Sequence, residues 1–271
     1  MHLLTTRLSL TTLAICVFTA CTVGLAAQHV VPAHTPEVEA ARLNNIGTAL
    51  MGQQLLDRAA TTFAEAAKAD PKLTLAKVNE GIALLYLQRL PEAEQVLDAA
   101  ALADPKDPHV WYALGLLYRN QNKPKQSLDA FKEALTLRPA DPDTHYMVAS
   151  LDLELEDMPA AAAEFRKAIA LNPHHASSIF GLARVLHRQG DSAGAKQALV
   201  EFQHISASKI GTPLSHTYGD EGRYGRVEDA VLAPISVEPM IPVTFTEFWH
   251  SPASKSAAEV AIEEDAILAV R

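Results

Sequence analysis

The sequence predicts an all-α protein: an α-solenoid of about five helix-turn-helix repeats with a mostly irregular C-terminal tail. Three observations carry that fold class. Pro71, Pro105, Pro139 and Pro173 are spaced by 34, 34 and 34 residues, each closing a phrase such as Ala-Asp-Pro, Leu-Arg-Pro or Leu-Asn-Pro. With each proline set at position 32 of a repeat, small and large residues fall into register. Position 8 holds Gly47, Gly81, Gly115 and Ala149, position 20 holds Ala59, Ala93, Ser127 and Ala161, and position 24 holds Phe63, Leu97, Phe131 and Phe165. The composition, 48% hydrophobic and 20% charged over 271 residues, excludes a wholly disordered or collagen-like chain.

Each element has a physical reason. Small residues at positions 8 and 20 let two antiparallel helices approach closely, and the large residue at 24 fills the space beside them. Proline ends the second helix because it cannot supply the interior hydrogen bond. The repeats are placed at 40–73, 74–107, 108–141, 142–175 and 176–207. The fifth keeps Leu182, Ala183, Gly190 and Ala195 but lacks the terminal proline, as expected of a divergent end repeat. Residues 28–39 form a lead-in, 208–252 a Pro/Gly-rich linker, and 253–271 a terminal helix rich in Ala, Glu, Ile and Leu. Within the tail, Ile241 to Thr246 alternates like a short strand.

Residues 1–27 read as an export signal. One positive charge at Arg7 precedes an uncharged stretch from Leu8 to Ala20, and the small residues Gly24, Ala26 and Ala27 follow. Cleavage after Ala26 or Ala27 is one reading. The other is a lipobox: Val17-Phe18-Thr19-Ala20-Cys21 resembles the bacterial motif that leaves Cys21 as a lipidated N-terminus, with Phe18 where Leu usually stands. Both cysteines, Cys16 and Cys21, lie here, so the remainder has no thiol to mispair in an oxidising compartment. The expected location is exported, periplasmic or extracellular, with membrane contact only through a lipid on Cys21.

The 34-residue register resembles the tetratricopeptide repeat. The third copy matches best, with Trp111, Leu114, Gly115, Tyr118, Phe131, Ala134 and Pro139 at signature positions. The resemblance implies a right-handed solenoid whose ligands lie in a groove lined by the first helix of each repeat. Carried onto this chain, groove candidates are Asn45 and Asn79 at position 6, Tyr112, Tyr146 and Phe180 at position 5, Leu116 and Arg184 at position 9, and Arg119 at position 12. An aromatic row beside basic groups and amides suits an extended peptide. Tyr at position 5 also serves packing between repeats, so that row has two readings. The carboxylate-clamp subtype does not fit, since Asn44 stands where its first lysine belongs and His109 and Ala113 where its basic pair belongs.

The tail phrase Tyr218-Gly219-Asp220-Glu221-Gly222-Arg223-Tyr224, followed by prolines and Ile-Pro-Val-Thr-Phe-Thr, resembles the junction between such repeats and FG-GAP/ASPIC-UnbV propellers. The chain departs from that pattern at Glu247-Phe248-Trp249-His250. A shortened relative of a repeat–propeller protein is therefore an alternative.

Catalytic patterns are not found. There is no His-Glu-x-x-His, Gly-x-Ser-x-Gly or Walker-type loop, and Gly219, Gly222 and Gly225 do not follow a strand. His174-His175 reads as a solvated turn and Asp141-Pro142-Asp143 as an acidic helix N-cap. The formal charge of −9 argues against a nucleic-acid partner. The expectation is a non-enzymatic scaffold for a protein or peptide partner, with no cofactor and no metal. The alternative is a lipid-anchored accessory subunit of an envelope complex. Residues 241–271 are a candidate internal ligand for the groove.

Overall fold

The computed structural model describes residues 35–231 apart from 212, 215–217 and 219. The export signal 1–27 with Cys21, the strand over 241–246, the terminal helix over 253–271 and the internal-ligand candidate 241–271 lie outside the described residues. The chain divides after Val231, and every described residue belongs to the first unit.

Among the described residues ten α-helices follow one another: α1 (Pro36–Gly52), α2 (Leu56–Ala69), α3 (Thr74–Tyr86), α4 (Leu90–Ala103), α5 (Pro108–Asn120), α6 (Pro124–Leu137), α7 (Pro142–Glu154), α8 (Met158–Leu171), α9 (Ala176–Arg188) and α10 (Ser192–Ser208). One 3₁₀ turn, Arg223–Gly225, comes after them. There is no strand among the described residues. The all-α solenoid expected from the register is what forms: consecutive helices pack on each other as five pairs. The first begins at Pro36, inside the stretch expected as lead-in.

The local chemistry explains the pairs. Pro36, Pro108, Pro124 and Pro142 occupy first helical positions, where the missing N–H costs nothing. Asp107 caps α5 by accepting from the His109 N–H at 2.9 Å, and Asp141 caps α7 by accepting from the Thr144 N–H at 2.8 Å. Between the two helices of every pair the chain turns through one left-handed residue. These are Gln54, Gln88, Asn122, Glu156 and Gly190, with φ of 60°, 58°, 57°, 66° and 84°. Each sits 34 residues after the last. In each turn the next N–H reaches back to the helix, as from Arg89 to the Leu84 carbonyl (2.9 Å) and from Lys123 to the Tyr118 carbonyl (2.9 Å). This satisfies a carbonyl the helix end would otherwise orphan.

Burial follows the register. Phe63, Leu97, Phe131 and Phe165 are buried beside the small residues of the preceding helix. A Cβ built on Gly115 would stand 2.8 Å from the Phe131 ring, so no larger residue fits there without displacing it. The Ser127 hydroxyl donates to the Gly115 carbonyl at 2.7 Å and locks the same pair. The second helices are amphipathic: α6 buries Ser127, Leu128, Ala130, Phe131 and Ala134 and exposes Lys125, Asp129, Lys132 and Glu133. The first helices are buried more nearly all round. In α5 they bury eight residues from His109 to Leu117, because a further layer covers them. That layer is the chain itself.

Candidate functional site

Residues 220–231, in the stretch expected as linker, lie along the first helices of the early repeats. The segment is gripped by its backbone. Asn79 of α3 donates from Nδ2 to the Glu228 carbonyl (2.8 Å) and accepts the Glu228 N–H at Oδ1 (3.1 Å). Asn45 of α1 repeats this on Ala230, accepting its N–H at 2.7 Å and donating to its carbonyl at 3.2 Å. Asn44 adds a bond from Nδ2 to the Glu228 carbonyl at 2.9 Å, and its Oδ1 accepts from Asn79 Nδ2 at 2.8 Å. His109 of α5 donates from Nε2 to the Arg226 carbonyl at 2.8 Å.

Carbonyls 226, 228 and 230 are thus held in turn by the third, second and first repeats. In extended chain, the backbone groups of alternate residues face the same side. Two asparagines one repeat apart can therefore address two residues two apart. A primary amide presents one donor and one acceptor, as a neighbouring strand would, so each asparagine stands in for one rung of a sheet ladder. The segment runs opposite to the order of the repeats.

Upstream of this ladder sits a tighter anchor. Glu221 is 4% exposed. Its carboxylate accepts from the Tyr86 hydroxyl of α3, and its carbonyl accepts from the Tyr112 hydroxyl of α5. Burial pushes the Glu221 carboxyl above the ordinary glutamate value, while the Tyr86 bond and the Arg119 charge pull the other way. Burial likewise pushes the Tyr112 and Tyr86 hydroxyls up, so both stay protonated donors. Gly222 has φ +91°, and a Cβ there would lie 2.6 Å from the Tyr112 hydroxyl and 2.9 Å from the Asp143 Cβ. The Arg223 N–H then bonds Asp143 Oδ2 at 3.1 Å, while Asp143 Oδ1 accepts from His175 Nε2 at 3.2 Å. The Tyr218 ring meets Tyr86 edge-on at 5.1 Å, Tyr224 tilts over Tyr112 at 6.0 Å, and Val227 is buried in the main core cluster.

The structure brings together five of the groove residues expected from the register: Asn45, Asn79, Tyr112, Leu116 and Arg119. Leu116 faces the 3₁₀ turn, at 3.5 Å from a Cβ built on Gly225. Arg119 also donates to Met147 Sδ at 3.4 Å. Tyr146 packs on the Phe165 and His175 rings, at 6.0 and 5.5 Å. Phe180 and Arg184 stand apart on α9, lining a shallow cavity with His187, Arg188 and Leu199, and Phe180 is 42% exposed. So the aromatic row is split in two. Tyr112 serves both packing, 4.9 Å from Phe131, and the segment, while the Phe180 ring packs on Phe202 at 5.2 Å.

One reading needs correction. His174 is exposed, but His175 is fully buried: its Nδ1 accepts the Ser178 N–H at 3.1 Å and caps α9, so it is no solvated turn. Asp141 is the N-cap expected, whereas Asp143 two residues on bridges His175 to the segment. Sequence reasoning did not find Tyr86, His109 and Asp143 as groove residues, nor Glu221 and Gly222 as their ligand. His109 had a signal, since it occupies a binding position of the clamp subtype. Here it holds a carbonyl instead of a carboxylate.

A stack of helix pairs whose first helices carry an extended segment of the same chain defines a helical-repeat scaffold. Residues 78–142 and 146–201 match the tetratricopeptide repeat family. No curated protein matches it in sequence. Solved structures are similar in fold. MamA from Desulfovibrio magneticus RS-1 shares 19% identity at a TM-score of 0.57, over 63% of this chain and 97% of that one. PilF from Pseudomonas aeruginosa shares 18% at 0.58, over 62% and 77%. YrrB, described as a tetratricopeptide-repeat protein with an unusual peptide-binding site, shares 18% at 0.52, over 62% and 87%.

Proposed function

We propose that this protein is an exported, non-enzymatic scaffold whose groove holds an extended protein segment by its backbone. Its own residues 220–230 are the resident occupant. The observation that carries this reading is the paired asparagine grip on Glu228 and Ala230. Such a grip depends on an extended main chain more than on any one side chain, which is how strand addition gains affinity. A preformed groove also loses little entropy on binding. The peptide-binding site named for YrrB supports the reading by analogy of fold.

The test is a titration of a labelled synthetic peptide of residues 218–231 into the full chain carrying Val227→Asp, which loosens the internal copy. Capture of the peptide is expected. Adding Asn45→Ala and Asn79→Ala should weaken it by about tenfold or more, because each change leaves backbone groups of a buried segment unpaired at about 1–3 kcal/mol. Failure of the Val227→Asp chain to capture the peptide, with its helix content intact, would sink the reading.

Export rests on residues 1–27, and mass spectrometry of the mature N-terminus checks it. A free residue 27 or 28 supports a released scaffold; a lipidated Cys21 supports the anchored accessory subunit. An N-terminus at Met1 contradicts both.

A further inference from the structure

The groove is not indifferent to side chains along its whole length. From Arg226 to Ala230 its polar contacts are to backbone atoms, as described above. At Glu221 a side-chain contact is added to a backbone one, and at Gly222 the space itself is selective. The Tyr86 hydroxyl donates to the Glu221 carboxylate, a bond that needs an acid of glutamate length at that point. The next residue must take φ +91° with no Cβ, since one would meet the Tyr112 hydroxyl at 2.6 Å and Asp143 at 2.9 Å. Any L-residue would be strained there by its backbone alone, and obstructed as well. Asp143 then receives the following N–H, an orientation reached only after the left-handed step. Downstream, one apolar residue is buried at Val227 and a small one at Ala230.

We propose that the groove is a reader of a Glu-Gly step, and that its partner is another protein's extended segment. That segment carries Glu-Gly, an apolar residue five positions after the glycine, and a small residue three further on. It displaces residues 220–230 of this chain by making the same contacts. The inference rests on the peptide-groove reading above and names the chemistry of its partner. The internal copy then sets a threshold. Being tethered, it competes at an effective concentration of roughly millimolar, so a partner must carry the full pattern or be presented in several copies.

The experiment uses the full chain opened in two independent ways, Val227→Asp and Gly222→Val, with helix content monitored by circular dichroism. The probes are the synthetic peptide of residues 218–231 and the same peptide carrying Glu221→Gln or Gly222→Val. The native peptide should bind both opened chains, and bind the wild-type chain at least about tenfold more weakly because its groove is filled. The two altered peptides should bind the opened chains at least about tenfold more weakly than the native one. A readout without any variant accompanies this: excess native peptide should speed hydrogen exchange across residues 226–231 of the wild-type chain, and the altered peptides should not.

Equal binding by native and altered peptides would overturn the Glu-Gly reading and leave the backbone grip standing. Absence of binding by every peptide to a folded, opened chain would overturn both. Unchanged exchange in the wild-type segment under excess native peptide would overturn the displacement.

Discussion

His109 lies under the segment, almost wholly buried, and its neutral ring donates to the Arg226 carbonyl. Burial holds its pKa below the ordinary 6.5, opposed by the charges of Glu228 and Asp107 and by the backbone bonds to Arg226 and Tyr224. The released imidazole takes a proton at the ordinary value, before the docked one does. The stability this residue contributes is therefore complete above 6.5 and is lost as pH falls through the depressed value. Glu221 works in the opposite sense: its raised pKa favours the protonated, docked form as pH falls through that value above 4.5. Limited proteolysis of the segment should accordingly quicken between about pH 7.5 and about pH 6, and His109→Gln, which keeps a donor but does not titrate, should remove most of the difference. Identical cleavage rates at the two pH values would contradict the assignment. Tyr112 is the other informative residue. Alanine there would hollow the packing against Phe131, whereas Tyr112→Phe removes only the donor to the Glu221 carbonyl. The phenylalanine variant should lower stability to urea by about 1–3 kcal/mol and leave the helix content unchanged.

Among the elements, the repeating turn is the feature least visible in the sequence. The prolines at 34-residue spacing and the small-against-large register made the helix pairs legible, because both leave the same residue type at the same position. The left-handed turn does not. Its five positions carry Gln54, Gln88, Asn122, Glu156 and Gly190, and only the last is a glycine. Backbone bonds such as that from Arg89 to the Leu84 carbonyl hold the others in a conformation their side chains disfavour. Glu156→Gly should therefore raise the melting temperature, with a gain of up to about 1 kcal/mol. Gly190→Ala should lower it by a similar amount. A melt that moves the other way for either variant would contradict the turn geometry. The groove was legible to the same uneven extent. Asn45 and Asn79 sit in register one repeat apart and could be singled out. Their ligand could not, because Glu221, Gly222, Val227 and Ala230 belong to no repeat and meet the helices only through the fold.

At the scale of the whole molecule, the segment ties non-adjacent repeats that a linear stack leaves independent. Each pair touches its neighbours, whereas residues 221–230 contact α1, α3, α5 and α7 together. In a one-dimensional stack, damage to one repeat stays largely local. Phe131→Ala, which empties a fully buried site facing Gly115, should cost about 3–5 kcal/mol and also loosen the segment, because Tyr112 packs on that ring. Chemical denaturation and proteolysis of the segment should report both effects together.

The central claim is that asparagines one repeat apart hold alternate residues of an extended chain. Residue-resolved hydrogen exchange on the full-length protein tests it most directly. The amides of Glu228 and Ala230, bonded to Asn79 and Asn45, should exchange slowly, while that of Asp229 between them exchanges fast. Asn45→Ala with Asn79→Ala should abolish the contrast. Fast, uniform exchange from Arg226 to Val231 in the unaltered protein would contradict the account.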